Sequence, residues 1–184
     1  MYYIIKNNIL SDFESTLNEP KNFPREVNFI SGKVITEEIE TPLVYTTNAK
    51  NGDTMLDFSK GSVTLMSKRF LEILQGAGVD NLQVFPAIVK SEEDESVWND
   101  YFAVNILGMI SCADLSKSTY DEIMPGHYIF DELAIFPEKT NGALLFRLQE
   151  HSPTIIMHRD IGVYIKSQDP HKTLLGWTVE KIIQ

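Results

Sequence analysis

Residues 101–113, YFAVNILGMISCA, run for thirteen positions without a charge, and Asp100 and Asp114 bracket them. A helix needs about 20 apolar residues to cross a bilayer, so this run is too short to span one. Continuous rather than alternating apolarity fits a strand buried on both faces. Tyr101, Phe102, Val104 and Ile106 have the bulky or branched shapes that strands favour. The chain is therefore expected to build its core around a central strand, with the whole stretch 101–118 as that strand and its polar exit. Asn105 sits inside that run. A buried amide without partners costs roughly 1–3 kcal/mol, so Asn105 is expected to be a hydrogen-bonded core amide that fixes register.

The surrounding segments supply the rest of a sheet. Residues 1–6, 43–47, 82–90, 128–136, 142–150, 154–157 and 176–183 have strand patterns. Pro86 cannot donate to a ladder, so 82–90 should be an edge strand or carry a bulge there. The acidic stretch 91–100 would join it to the buried strand as a long hairpin, and EKTNG would be the turn between 128–136 and 142–150. The clearest helix is LMSKRFLEILQGAG, 65–78. Ser67 can cap it, Phe70, Ile73, Leu74 and Ala77 form one apolar face, and Gly76 or Gly78 can end it. A second helix is expected over 158–169, with Ile161, Tyr164 and Ile165 on one face. Residues 7–29, interrupted by Pro20 and Pro24, read as irregular structure with at most a short helix, and Asn51-Gly52 marks a turn. The sum is an α+β fold, mainly antiparallel sheet with a few short helices. A chain of 184 residues fits a single compact domain, with 1–62 as an N-terminal segment or small lobe and 63–184 as the core.

Charge narrows the partners. Residues 92–138 hold eleven acids and one base, Lys117, which accounts for the whole net charge of −10. A nucleic-acid binder would show the opposite sign. A concentrated negative segment serves solubility or steers in a basic partner. The start MYYIIKNN is too short an apolar run for a signal peptide, and Cys112, the single cysteine, allows no internal disulfide. No membrane segment is expected, and a cytoplasmic location is the simplest reading.

Catalytic signatures are sparse. His127, His151, His158 and His171 form no H-E-x-x-H pattern, and no nucleophile elbow, P-loop or dinucleotide fingerprint occurs. The acidic run 92–95 lacks the spaced ligands and central glycine of a calcium loop. Cys112 would need His127 and a carboxylate beside it to act as a nucleophile; its place in an apolar run fits a small buried hydrophobe instead. Neither metal, cofactor nor catalytic residue is expected.

Taken in order, four motifs resemble a known family: LMSKRFLEILQGAGVDNLQVFPAIV, YFAVNILGMISCADLSKS, LLFRLQEHSPTIIMHRDI and LLGWTVEKI. The series looks like family eleven of the bacterial immunity proteins of polymorphic toxin systems, formerly a domain of unknown function. The likeness is carried by residues 63–184, with little beyond MYYII over 1–62. The resemblance implies a cytoplasmic antidote encoded beside its toxin, acting by stoichiometric binding and not by catalysis. Within the motifs, Ser67, Phe70, Pro86, Asn105, Asp114, Phe146 and Arg147 fit caps, core and turns, and none maps as a shared toxin contact.

The interface candidates therefore come from local physics: Glu92, Glu93, Asp94, Glu95, Trp98, Tyr120, Asp121, Glu122 and Tyr128. Exposed carboxylates raise association rate and selectivity. Aromatic side chains anchor hot spots. Against this, the acids can simply be solvated, and Trp98 can tuck under its loop onto the sheet. Two other readings stay open: an interaction module with a different basic partner, and a cysteine-dependent hydrolase.

Overall fold

The computed structural model describes residues 1–8, 16–20, 24 and 26–183. Much of the irregular stretch expected over 7–29 lies outside them. In chain order the elements are β1 (Tyr2–Asn7), β2 (Leu17–Asn18), β3 (Leu43–Thr47), β4 (Phe58–Ser59), β5 (Thr64–Ser67), α1 (Lys68–Gly76), β6 (Leu82–Ser91), β7 (Val97–Ile106), β8 (Met109–Ile110), β9 (Thr119–Met124), β10 (His127–Glu132), β11 (Leu145–Leu148), β12 (His151–His158), α2 (Arg159–Gln168) and β13 (Trp177–Lys181). The protein is mostly strand. One sheet has the order β13-β1-β12-β11-β8, a second β2-β3-β6-β7-β5-β4, and β9 and β10 form a separate two-stranded ribbon. Residues 1–62 feed both sheets, through β1 in the first and β2 to β4 in the second.

Both larger sheets are mixed, so the expectation of mainly antiparallel sheet holds only in part. β3 runs parallel to β6, and β8 parallel to β11. Parallel neighbours need a long crossover. Residues 48–81, which include α1, make the first, and 111–144, which include the ribbon, make the second. A helix is visible in a sequence; the pairing it bridges is not.

The apolar run 101–113 is not one strand. β7 starts earlier, at Val97, and stops at Ile106. Gly108 then turns the chain with φ +95°, donates its N–H to the Gly32 carbonyl at 2.8 Å, and accepts from the Arg147 N–H at 3.1 Å. The run thus carries the chain from the second sheet into the first, and its continuous apolarity reflects burial in successive cores. Within β7 the expected two-sided burial holds. Val104 and Ile106 face a core with Phe70, Leu74, Ile155 and Ile161, where the two sheets and both helices meet. Tyr101 and Ala103 face another, with Leu43, Tyr45 and Val89. Asn105 is fully buried; its Nδ2 donates to the Lys33 carbonyl at 2.8 Å and to Gln83 Oε1 at 3.1 Å, while its Oδ1 has no partner among the described residues. Gln83 in turn pairs with both backbone groups of Ile35, so the two amides pin the segment 33–35 across the sheet.

Other boundaries shift for local reasons. Leu65 and Met66 belong to β5, because Ser67 is the cap and helix begins after it; Ser67 Oγ accepts from the Phe70 N–H at 3.2 Å. Gly78, with φ +93°, follows the helix end. Pro86 pairs with Phe102 but lies beyond the start of β3, whose partner residues begin at Ala87, and a bulge follows between Ala87 and Val89. A missing donor is tolerated at such a place. α2 follows His158, whose Nδ1 accepts from the Asp160 N–H at 3.4 Å.

Residues 128–136 and 142–150 do not pair as a hairpin. β10 pairs instead with β9, an element absent from the sequence reading, and β11 pairs with a β12 that is eight residues long, twice the expected strand. The local cause is Pro125-Gly126, with Gly126 at φ +79°, a tight turn between two six-residue strands. Asp114 launches this ribbon: its Oδ1 accepts from the Ser116 N–H and Oγ–H, and Ser118 Oγ bridges to the Ala134 backbone.

Candidate functional site

Among the described residues no three His, Cys, Asp or Glu side chains gather as a metal site. Cys112 is fully buried in an apolar cluster with Tyr2, Phe146 and Ile156. Burial, and secondarily Glu150, pushes its thiol up to about 12. A thiol so placed packs as a small buried hydrophobe.

The nine candidate interface residues fall on two separate structures. The first is the turn joining β6 to β7. Glu92, Glu93, Asp94 and Glu95 are all exposed. Three of them also hold neighbouring loops. Glu92 Oε1 accepts from Thr46 Oγ1 at 2.8 Å, and Glu93 lies 3.8 Å from Lys50 Nζ. Asp94 accepts from the backbone N–H groups of Asn51 and Ser96, each at 2.9 Å. Those hydrogen bonds, the Asn51 one foremost, hold its carboxyl down to about 2. The turn is therefore stitched to the 46–53 loop as well as displayed to solvent. Trp98 is half-buried: it packs against the core built on Tyr45 and Val89, and also lines an open cleft of about 800 Å³. The side chain is thus tucked in part onto the sheet and in part open to the cleft. Asp57, Ser67, Arg69 and Tyr101 line the same cleft.

The second is the β9–β10 ribbon, which carries Tyr120, Asp121, Glu122 and Tyr128. Every residue of β9 is exposed. Tyr120, Tyr128 and Phe130 form an aromatic group, with Tyr120 and Tyr128 edge-on at 5.0 Å. Glu122 is partly structural, accepting from the Gly126 N–H at 3.0 Å to close the turn. Tyr128 ties the ribbon to the first sheet by donating its N–H to the Glu150 carbonyl at 3.0 Å. Desolvation and then the Glu122 carboxylate raise the pKa of its hydroxyl.

The acidic turn and the ribbon are not brought together along the chain's path. The turn closes one end of β7, and the chain leaves for the ribbon from the other, ten residues of strand away. Sequence reasoning missed the ribbon's most exposed apolar side chains, Ile123, Met124 and Ile129. Their signal was present: TYDEIM and HYIFDE flank Pro125-Gly126 as two short strands around a turn.

No helix among the described residues is long and apolar enough to cross a membrane. A family model described as "Immunity protein family (Imm11)" matches residues 4–182, a span that includes nearly all of the N-terminal segment. No curated protein matches the chain.

Proposed function

We propose, from the premise that the chain belongs to the Imm11 immunity protein family, that it neutralises a cognate bacterial toxin by stoichiometric binding in the cytoplasm, without catalysis. The toxin is a basic protein encoded by an adjacent gene. The candidate contacts are Glu92, Glu93, Asp94, Glu95 and Trp98 on the β6–β7 turn, and Tyr120, Asp121, Glu122 and Tyr128 on the ribbon.

The observation that carries this reading is the ribbon itself. Ten of its twelve strand residues are exposed, and it offers the cores little beyond Phe130. An element that adds so little to the fold and so much surface suits a binding role. Its carboxylates, and those of the β6–β7 turn, would steer a basic partner. Nucleic acid would be repelled by the same field.

The test is protection with a binding readout. The chain is co-expressed with the product of the adjacent gene in a sensitive host, and the mixture is analysed by size exclusion. Rescue with a stable 1:1 complex is the expected outcome. Rescue without a complex would point to enzymatic reversal of damage. Absence of both would overturn the antidote reading for that pair.

A further inference from the structure

We infer that the outer face of the β9–β10 ribbon is the anchor of the toxin complex, and that Ile123, Met124 and Ile129 seat in an apolar pocket rimmed by lysine or arginine on the partner. This inference rests on the antidote reading above and adds the docking element and the chemistry it fits.

The register separates the ribbon's two faces. Residues directly opposite in an antiparallel ladder share a face. Tyr120 stands opposite Phe130, and Glu122 opposite Tyr128; Asp121 stands opposite Ile129 on the other side. Phe130 packs on the core of Phe146 and Ile156, so the aromatic side faces the body of the protein. Ile129 therefore points away from it and is 48% exposed. Ile123 is the extra residue of a bulge between the pairs Glu122–Tyr128 and Met124–His127, and is 56% exposed; Met124, beside the turn, is 58% exposed.

Three large apolar side chains on one two-stranded element are out of place on a surface with no partner. A ribbon of two strands is marginal alone, and here the aromatic group stiffens it from behind. A stiff apolar tip loses little entropy on docking, which is the property of a preformed anchor.

Charge identifies the occupant. Residues 118–138 hold five carboxylates and no lysine or arginine. Asp121 shares the outer face with Ile129, and Glu122, Asp131 and Glu132 lie on the same two strands; all four are exposed. A second copy of this chain would bring the same carboxylates against them, which opposes self-association. A basic rim around an apolar pocket complements both features.

The experiment uses the intact chain and the adjacent gene's product. Two variants disrupt the anchor, Ile123→Asp with Ile129→Asp, and Asp121→Lys with Asp131→Lys. Val163→Asp, on an exposed position of α2, is the control. All three are checked for folding by thermal melt. The expected result is that the isoleucine pair weakens the complex about 30-fold or more, mainly through dissociation. The lysine pair should slow association and flatten its salt dependence, and the control should do neither. A photo-crosslinking residue at 129 should attach to the toxin. If wild type protects and co-elutes but the isoleucine variant binds unchanged, the anchor is overturned while the antidote reading stands. If wild type neither protects nor binds, both fall. If position 129 crosslinks to a second copy of this chain, the partner assignment is overturned in favour of self-association.

Discussion

Asp57 and Arg69 meet at two points: Arg69 Nε donates to Asp57 Oδ1 at 2.6 Å, and Nη2 to Oδ2 at 2.5 Å. The same carboxylate accepts from Ser67 Oγ at 2.6 Å and from the Leu175 N–H at 2.8 Å. One buried group thereby joins β4, the start of α1 and the segment leading to β13. Arg69 is half exposed and can return to water, whereas Asp57 is 3% exposed. Removing the carboxylate also strands the buried Ser67 and the Leu175 N–H.

Asp57→Ala should therefore lower stability by about 3 kcal/mol, and Arg69→Ala by about 1 kcal/mol. Urea unfolding followed by circular dichroism measures both. A larger loss for Arg69→Ala would show that the guanidinium, not the carboxylate, organises the junction.

Arg147 is the opposite case, a buried charge without a counter-ion among the described residues. It is fully buried; Nη1 donates to the Ser152 carbonyl at 3.0 Å, and Nε and Nη2 have no partner among the described residues. Burial lowers its pKa to about 10. Methionine is shorter but keeps an unbranched stem that fills the inner part of the site, and it has no charged group to desolvate. Arg147→Met is expected to hold or raise the free energy of unfolding, by up to about 2 kcal/mol, while Arg147→Ala, which leaves a larger cavity, lowers it by about 2 kcal/mol. Destabilisation by methionine equal to that by alanine would mean that the guanidinium itself supports the fold.

The elements that were legible in the sequence are those with local determinants. α1 follows from helical spacing and the Ser67 cap, α2 from spacing alone, and β1, β3 and β13 from short strand patterns. The switch between sheets at Gly108 was not legible, because an uninterrupted apolar run looks the same whether it fills one core or passes through two. The parallel pairs were hidden since register between distant strands has no local mark. At the candidate surfaces, the exposure of Glu92 to Glu95 could be read from charge alone. That Phe130 turns inward and Ile129 outward could not, because Tyr128 sets it by bonding to the distant Glu150.

His151 gives stability a pH dependence. Its Nδ1 lies 2.8 Å from Thr154 Oγ1. Burial first, and Lys60 second, lower its pKa below the ordinary 6.5. In the folded protein the ring stays neutral where the unfolded chain takes a proton, so acid favours unfolding. This contribution is fully present above about 6.5 and is lost as pH falls from there through the folded pKa. The melting temperature should fall between pH 7 and pH 5, and His151→Asn should make that fall shallower. An equal slope in the two proteins would remove His151 as the cause.

The buried thiol predicts slow chemistry. With its pKa pushed up to about 12, Cys112 should react with a disulfide reagent at pH 8 only as fast as the protein opens, and at full rate once unfolded. Cys112→Ala should cost about 1 kcal/mol of stability and leave protection against the toxin intact. Rapid labelling of the native protein, or protection lost in a folded Cys112→Ala variant, would return the hydrolase reading to consideration.

The acidic turn calls for a selective charge reversal. Reversing all of Glu92 to Glu95 would confuse steering with folding, because Asp94 holds the Asn51 and Ser96 N–H groups and Glu92 holds Thr46. Glu93 and Glu95 are the better pair, as Glu93 makes only a long contact with Lys50 and both are exposed. Glu93→Lys with Glu95→Lys should leave the melting temperature nearly unchanged. It should slow association with the basic partner about 5- to 10-fold at low salt, with little change in dissociation. Stopped-flow association at two salt concentrations measures this. A slower rate at low salt that converges with wild type at high salt would make the turn a steering surface. An unchanged rate would leave it a solvated junction that holds the 46–53 loop, and would assign the steering to the carboxylates of the ribbon.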